Sequence, residues 1–334
     1  MPAKKWFDND VTLDLLKSKT VAVVGYGIQG RAQANNMKDS GLDVVVGLRK
    51  EGKTWDLAEK EGHIVKEVAD ASNSADIIHI LVPDMEQAVV YSNNIAPKLS
   101  RGKTLSFSHG AAIHWKWIDP PKDVDVIMVA PKGPGQRVRE LFQEGFGTPS
   151  LVAINQNYTG KALDIVLGMA KAIGSTRPGV IETTFKEEVE TDWFGEQVDL
   201  CGGTHSLVLN AFETLVEAGY QPEVAYYECL HELKLIVDLI HKYGISGMYN
   251  RVSETARYGG LTRGPRIINS DVKKNMKKVL EDIQSGEFAN EWLSDYKKNG
   301  KNSFEKFMKE LENHQIETVG TEIREMMWKK DDGH

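Results

Sequence analysis

Between Lys19 and about Thr183 the chain repeats one pattern: a short, nearly unbroken apolar run followed by an amphipathic stretch. The runs are TVAVVG, DVVVGL, ADIIHILVP, KTLSFSHG, VDVIMVAP and PSLVAI. They have strand length and are rich in β-branched residues. Continuous rather than alternating apolar runs are expected when a sheet is covered on both faces, which is the habit of parallel sheets. Between them lie stretches such as IQGRAQANNMKDSG and MEQAVVYSNNIAPKL, with helical spacing. The rhythm predicts a Rossmann-like, doubly wound parallel sheet over residues 1–182.

The pattern changes after TTFKEEVETDWFGEQ. THSLVLNAFETLVEAGY and PEVAYYECLHELKLIVDLIHKYG are long and carry apolar residues at helical spacing, with Pro222 in a first turn and Gly244 as a stop. SDVKKNMKKVLEDIQSG has a Ser/Asp start and a Gly stop. Residues 183–328 therefore read as an all-helical domain, and the charged end MMWKKDDGH is expected to fray.

The charge balance narrows the partners. A net charge of -7 argues against nucleic acid, whose phosphates select a basic face. No apolar run has the length of a membrane span, and MPAKKWFDNDVTLDLL lacks the apolar core of a signal peptide. Cys201 and Cys229 are too few and too distant for a disulfide framework, so a reduced cytoplasmic setting is expected.

VAVVGYGIQGRAQ puts Gly25, Gly27 and Gly30 in G-x-G-x-x-G register, directly after a strand and opening a helix. That context makes it a dinucleotide loop. Gly25 permits the tight turn, Gly27 lets backbone approach a pyrophosphate, and Gly30 permits close packing. Tyr26, Ile28 and Gln29 fall in the same loop. The second strand ends in GLRKEGKTW. Arg49, Lys50, Lys53 and Thr54 suit a 2′-phosphate, whereas Glu51 would repel it and accept from ribose hydroxyls. The loop predicts use of NADPH, NADH or both.

Three strands end in polar sequence: LVPDMEQ, SFSHGAAIH and VAPKGPG. Ligands of open α/β sheets sit at such ends. Asp84, Met85, Glu86 and Gln87 are candidates for cofactor contact. His109 and Lys132 are candidates for chemistry, and Gly133 and Gly135 would let backbone approach a ligand. His114 is expected at the surface or behind the site.

Two carboxylate pairs stand four residues apart: Asp192 with Glu196, and Glu228 with Glu232. Such a pair lies on one face of a helix. Each is open to two readings, a solvated face or half of a metal site. The second pair lies in YYECLHELKLIVDLI, expected to be buried, where carboxylates need compensation. A hard cation such as Mg²⁺ supplies it, and four carboxylates on two helices suit two ions.

These residues together resemble the ketol-acid reductoisomerase (acetohydroxyacid isomeroreductase) family, short-chain class I. The resemblance runs through GYGIQGRAQA, GLRKEGKTW, LVPDMEQ, FSHGAAIH, APKGPGQRVR, DWFGEQVDLCGG, ECLHELKLIVDLI, VSETARYG and LTRGPRII, covering nearly the whole chain. It implies Mg²⁺-promoted alkyl migration in 2-acetolactate or 2-aceto-2-hydroxybutyrate, followed by NAD(P)H reduction to a 2,3-dihydroxy acid. It implies a dimerising, knotted-type helical domain. It also implies a homodimer with a shared site, and room for a higher assembly of dimers. Asp192 and Glu196 would bind two Mg²⁺ ions from one subunit, with Glu228, Glu232 and the substrate contact Ser253 from the other. His109 and Lys132 would sit at the chemistry. Ile28, Arg31, Trp193 and Glu51 depart from the residues common in the family. Two competitors remain open: a metal-free hydroxyacid-type dehydrogenase, and a dinucleotide-sensing protein without catalysis.

Overall fold

The computed structural model describes residues 2–328; the expectation for the end beyond Trp328 lies outside them. The chain divides into two compact units between Thr191 and Asp192.

The first unit is built on a nine-stranded sheet in the order β1-β9-β8-β7-β6-β5-β2-β3-β4. The strands are β1 (Lys5–Trp6), β2 (Thr20–Val24), β3 (Asp43–Leu48), β4 (Ile64–Glu67), β5 (Ile77–Ile80), β6 (Thr104–Phe107), β7 (Asp125–Pro131), β8 (Ser150–Gln156) and β9 (Val180–Thr183). The six expected runs form β2, β3, β5, β6, β7 and β8. β2 is covered on both faces, and Val21, Ala22, Val23 and Val24 are wholly buried. One apolar cluster joins Val21, Val23, Met37 and Ile77 on one side. Another joins Val24, Ile78, Leu105 and Phe107 on the other.

The core of this sheet, from β4 through β7, is parallel. β8 is antiparallel to β7, and β1 to β9, so the outer part is mixed. After β7 a nine-residue helix, Gly135–Gln143, leads back to the same end of the sheet, where Ser150 pairs with Pro131. Apolar continuity signals a covered strand but not its direction. β1, β4 and β9 have only 2–4 residues each, and β4 is half exposed, so none carries a long apolar run.

Strand order reverses beside β2. The chain steps to β3 and β4 on one side, then returns to β5 on the other. At such a switch point the loops leaving two neighbouring strands diverge and open a crevice at the carboxyl ends. The glycine loop leaves β2 there, and Asp84–Val90 begins a helix after β5.

The second unit has no strand among the described residues. Its core joins Val208 and Phe212 from the Gly202–Glu217 helix, Ala225 and Tyr226, and Ile316, Val319 and Ile323 from Gln315–Met327. The Ser270–Ser285 helix ends at Gly286 as expected, with left-handed φ of 81°, but Asn269 caps its start through its side-chain oxygen. Gly244 leaves helical geometry with φ of 74° and breaks the Glu232–Tyr249 helix. The burial expected for that helix does not hold in a single chain. It buries only Met248, while Leu235, Val237, Tyr243 and Ile245 are exposed. Glu228 and Glu232 are exposed too. The unit's small core lies elsewhere, and these apolar side chains stay exposed among the described residues.

Candidate active site

The glycine loop follows β2 directly. Gly25 has φ of 104°, and a Cβ there would lie 2.8 Å from Leu81 O. A Cβ on Gly30 would lie 2.2 Å from Gly25 O, so the helix can start this close to the strand only without a side chain. A Cβ on Gly27 would meet nothing within 4 Å. Gly27 therefore keeps a bare, open backbone face at the N-terminus of the Ile28–Asp39 helix, where amide N–H groups and the dipole favour an anion. Gly135 comes against the same turn: its Cβ would lie 2.4 Å from Ile28 O. Ile28 itself is exposed. These features fit a dinucleotide pyrophosphate.

Tyr26 is held from behind the loop. Its hydroxyl donates to Glu61 Oε2 at 2.5 Å, and Arg31 Nε donates to Glu61 Oε1 at 2.8 Å. Asn35 Nδ2 adds a bond to Glu61 at 3.0 Å. Burial pushes the Glu61 carboxyl up, but the hydrogen bonds from Arg31, Tyr26 and Asn35 outweigh it and bring it down to about 2. Burial and the Glu61 carboxylate push the Tyr26 phenol up.

The Arg49–Thr54 loop is a turn in which Gly52 N–H donates to Arg49 O at 3.1 Å. Arg49, Lys50, Glu51 and Lys53 are exposed and Thr54 is half-buried. Glu51 adopts a left-handed φ of 62°, uncommon for a residue with a Cβ. Asp84, Met85, Glu86 and Gln87 form the first turn after β5. Gln87 is buried and folds back, donating to Asp84 Oδ1 at 2.9 Å.

A buried carboxylate, Glu188, gathers the strand-end residues His109 and Lys132. Glu188 is buried on the Phe185–Gly195 helix and gathers three partners. Its Oε2 lies 3.1 Å from His109 Nδ1 and accepts from Gly110 N–H at 3.0 Å. Its Oε1 accepts from Lys132 Nζ at 2.7 Å. Burial pushes this carboxyl up; the hydrogen bond and charge of His109, then Lys132, overturn that and bring it down to about 2. Gly110 permits the approach, since a Cβ there would lie 2.9 Å from Phe185 O. His109 and Lys132, on different loops, are thus tied to one carboxylate. His114 is half-buried, 3.9 Å from Glu190. The sequence did carry a signal: Glu188, Asp192 and Glu196 recur every four residues.

Asp192 follows Glu188 by one turn of the same helix, so helical geometry gives them a common face. At Glu196 the helix widens into a π turn, Glu196–Leu200, closed by Cys201 N–H on Glu196 O at 3.1 Å. Glu228 lies in a second π turn, Tyr227–His231, and Glu232 follows it directly. π turns are rare and concentrate at functional sites. Both acidic pairs therefore share this irregularity, and carboxylate oxygens are the donors a hard divalent cation takes. Asp192 is half-buried and Glu196, Glu228 and Glu232 are exposed. Ser253 is exposed and caps the Glu254–Ile267 helix, accepting from Ala256 N–H at 3.1 Å.

Comparison with known proteins agrees with this architecture. Residues 15–179 match the family model for the NADPH-binding domain of acetohydroxy acid isomeroreductase. Residues 185–329 match that for the C-terminal domain of ketol-acid reductoisomerase. The chain is 65% identical over 326 residues to a ketol-acid reductoisomerase (NADP(+)) of Nitrosopumilus maritimus, covering 98% of each chain. It is 58% identical to the Methanopyrus kandleri protein of the same name, covering 97% of this chain and 98% of that one. A solved NADH-preferring ketol-acid reductoisomerase from an uncultured archean superposes with a TM-score of 0.93 at 48% identity, covering 96% of this chain and 98% of that one.

Proposed function

The chain belongs to the ketol-acid reductoisomerase family, and from that premise we propose that its active site is organised by Glu188 and completed by a second copy of the chain. The reaction is the family's: Mg²⁺-dependent alkyl migration of an acetohydroxy acid, then NAD(P)H reduction to a 2,3-dihydroxy acid, in branched-chain amino acid biosynthesis. The metal ions supply Lewis acidity for the migration, and the nicotinamide supplies the hydride.

The residues of this chain do the rest. The open backbone at Gly27, with Gly25, Tyr26, Ile28, Gln29, Gly30 and Gly135 around it, holds the pyrophosphate. Arg49, Glu51 and Thr54 face the adenosine ribose. Asp84, Met85, Glu86 and Gln87 line the other side of the crevice. Glu51 argues for acceptance of NADH beside NADPH.

His109 and Lys132 act at the substrate. Glu188 accepts from Nδ1 of His109, which keeps the proton on that nitrogen and makes Nε2 the basic one. The ring can then take a proton at Nε2 and return it. The Lys132 ammonium favours negative charge on the substrate oxygens, and its tether to Glu188 keeps it from swinging into solvent. Asp192 and Glu196 would hold metal from one subunit, and Glu228 and Glu232 from the other, with Ser253 of that subunit on the substrate. The observation that carries this reading is Glu188, which binds His109 and Lys132 one helical turn before Asp192. The exposed apolar residues Leu235, Val237, Tyr243 and Ile245, which follow Glu228 and Glu232 and lie on several sides of the helix, support burial against a partner. The two free cysteines support a reduced cytoplasmic location.

The test is NADPH oxidation driven by 2-acetolactate, with and without Mg²⁺, repeated with NADH. Oxidation that requires Mg²⁺, and that His109→Ala abolishes, is expected. Turnover retained by His109→Ala would overturn the assignment.

A further inference from the structure

Behind the crevice, four polar side chains form one directed line of hydrogen bonds. His79 on β5 and Gln33 on the Ile28–Asp39 helix are both wholly buried. His79 Nε2 lies 2.9 Å from Gln33 Oε1. An amide oxygen only accepts, so the imidazole donates its Nε2–H. That contact fixes which way the Gln33 amide faces. Its nitrogen donates to Gln29 Oε1 at 3.1 Å and to Ser108 Oγ at 3.0 Å. With its oxygen thus engaged, Gln29 donates its own Nε2–H to Gly133 O at 2.9 Å.

The ends of this line are informative. Ser108 precedes His109, Gly133 follows Lys132, and Gln29 stands in the glycine loop. Two of these strand-end loops meet at the Gln33 amide, and the third is reached through Gln29. The Gly133 carbonyl can only accept, so Gln29 turns its oxygen towards Gln33; turning the Gln33 amide over would set those two oxygens against each other. Burial holds His79 neutral, its ring pushed down to about 4, so at neutral pH the ring carries a single N–H, and the Gln33 oxygen draws it to Nε2.

We propose that Gln33 is a positioning residue for the reaction: through Ser108 and through Gln29 with Gly133, it sets the loops carrying His109 and Lys132 against the dinucleotide loop, with His79 locking its amide. The proposal rests on the roles given above to His109 and Lys132. It separates from a packing role, because both partners of a buried hydrogen bond can be replaced by apolar groups of similar shape with little loss of stability. Ångström-scale displacement of catalytic groups, by contrast, costs large factors in rate.

The experiment compares Gln33→Met, the double variant Gln33→Met with His79→Leu, and Ser108→Ala. Melting temperature, NADPH affinity by fluorescence, and kcat with 2-acetolactate are measured on each. Gln33→Met alone leaves the His79 donor without its main acceptor and lowers the melting temperature. The double variant removes the orphan and recovers it. The expected kcat is about tenfold or more below wild type in both, while NADPH affinity changes by less than about threefold. Ser108→Ala, which breaks one arm only, lowers kcat by a smaller factor and keeps the melting temperature. Recovery of kcat together with stability in the double variant would overturn the proposal, as would kcat within about twofold of wild type throughout. If Gln33→Met does not fold, the double variant and Ser108→Ala decide alone. An inactive His109→Ala beside an unimpaired double variant would sink the coupling only, whereas an active His109→Ala would sink the reading beneath it.

Discussion

Replacing Glu188 by Gln keeps the shape and removes the charge that His109 and Lys132 share. Its carboxyl titrates at about 2 against an ordinary 4.5. At 1.36 kcal/mol per pH unit this gap is worth about 3 kcal/mol to the folded state. The sign follows from linkage: a depressed carboxyl contributes stability that is present above about 4.5 and lost as pH falls towards 2. At pH 7 the full amount is at stake, matching the range for breaking a buried ion pair by removing one partner, about 3–5 kcal/mol. In a unit of this size that is roughly 10 °C in melting temperature. The effect on rate is separate. The neutral amide would remove the carboxylate that holds the Lys132 ammonium and orients the His109 proton, and kcat should fall about 100-fold, as when a supporting partner of an active-site group is removed. The assays are thermal unfolding and NADPH oxidation with 2-acetolactate, with Glu187→Gln on the exposed face of the same helix as control. A Glu188→Gln enzyme within about threefold of wild-type kcat would refute the argument, since no organising charge would then be needed.

Three further outcomes follow. Gly135→Ala drives a Cβ towards Ile28 O, 2.4 Å away, and should raise the KM for NADPH and destabilise by about 1–3 kcal/mol; a normal KM would mean that the two loops do not meet at the pyrophosphate. Glu51→Ser should raise the ratio of kcat/KM with NADPH to that with NADH, and an unchanged ratio would show that Glu51 does not face the 2′-position. His79 is held neutral down to about pH 4, so acidification from 6.5 to 4 should cost about 3 kcal/mol as the unfolded ring takes up a proton the folded ring refuses. Unfolding followed against pH should show that stretch flattened when His79 is replaced together with Gln33.

Sequence made the inner sheet legible because its strands are covered on both faces and so read as unbroken apolar runs. β8 was found for the same reason, but its direction was not, because composition along a strand is blind to which end its neighbour starts from. β1, β4 and β9 are too short to show a pattern above the loops beside them. The glycine loop was legible because Gly25 and Gly30 each meet a separate steric demand, while Gly27 leaves an open backbone face between them. Glu188 extends the four-residue spacing of Asp192 and Glu196 back by one turn, but a carboxylate at that spacing reads equally as a solvated face. Its role appears only when the fold brings the strand ends at His109 and Lys132 to that helix. Gln33 was hidden more deeply: a glutamine in a helix carries no chemical signal until His79 and Ser108, from two other strands, close around it. The burial expected for the Glu228 helix failed in a single chain because apolar periodicity shows that a face is to be covered, not by which molecule.

Subunit mixing tests a site shared between two copies of the chain most directly. Asp192→Ala and Glu232→Ala subunits, each inactive alone, are to be mixed under conditions where differently tagged subunits co-purify, and NADPH oxidation with 2-acetolactate measured. With free exchange half the dimers are mixed and each mixed dimer keeps one site free of both changes, so recovery of about a quarter of wild-type activity is expected. Co-purifying subunits with no activity above either variant alone would contradict it, and would mean that all four carboxylates must come from the same chain.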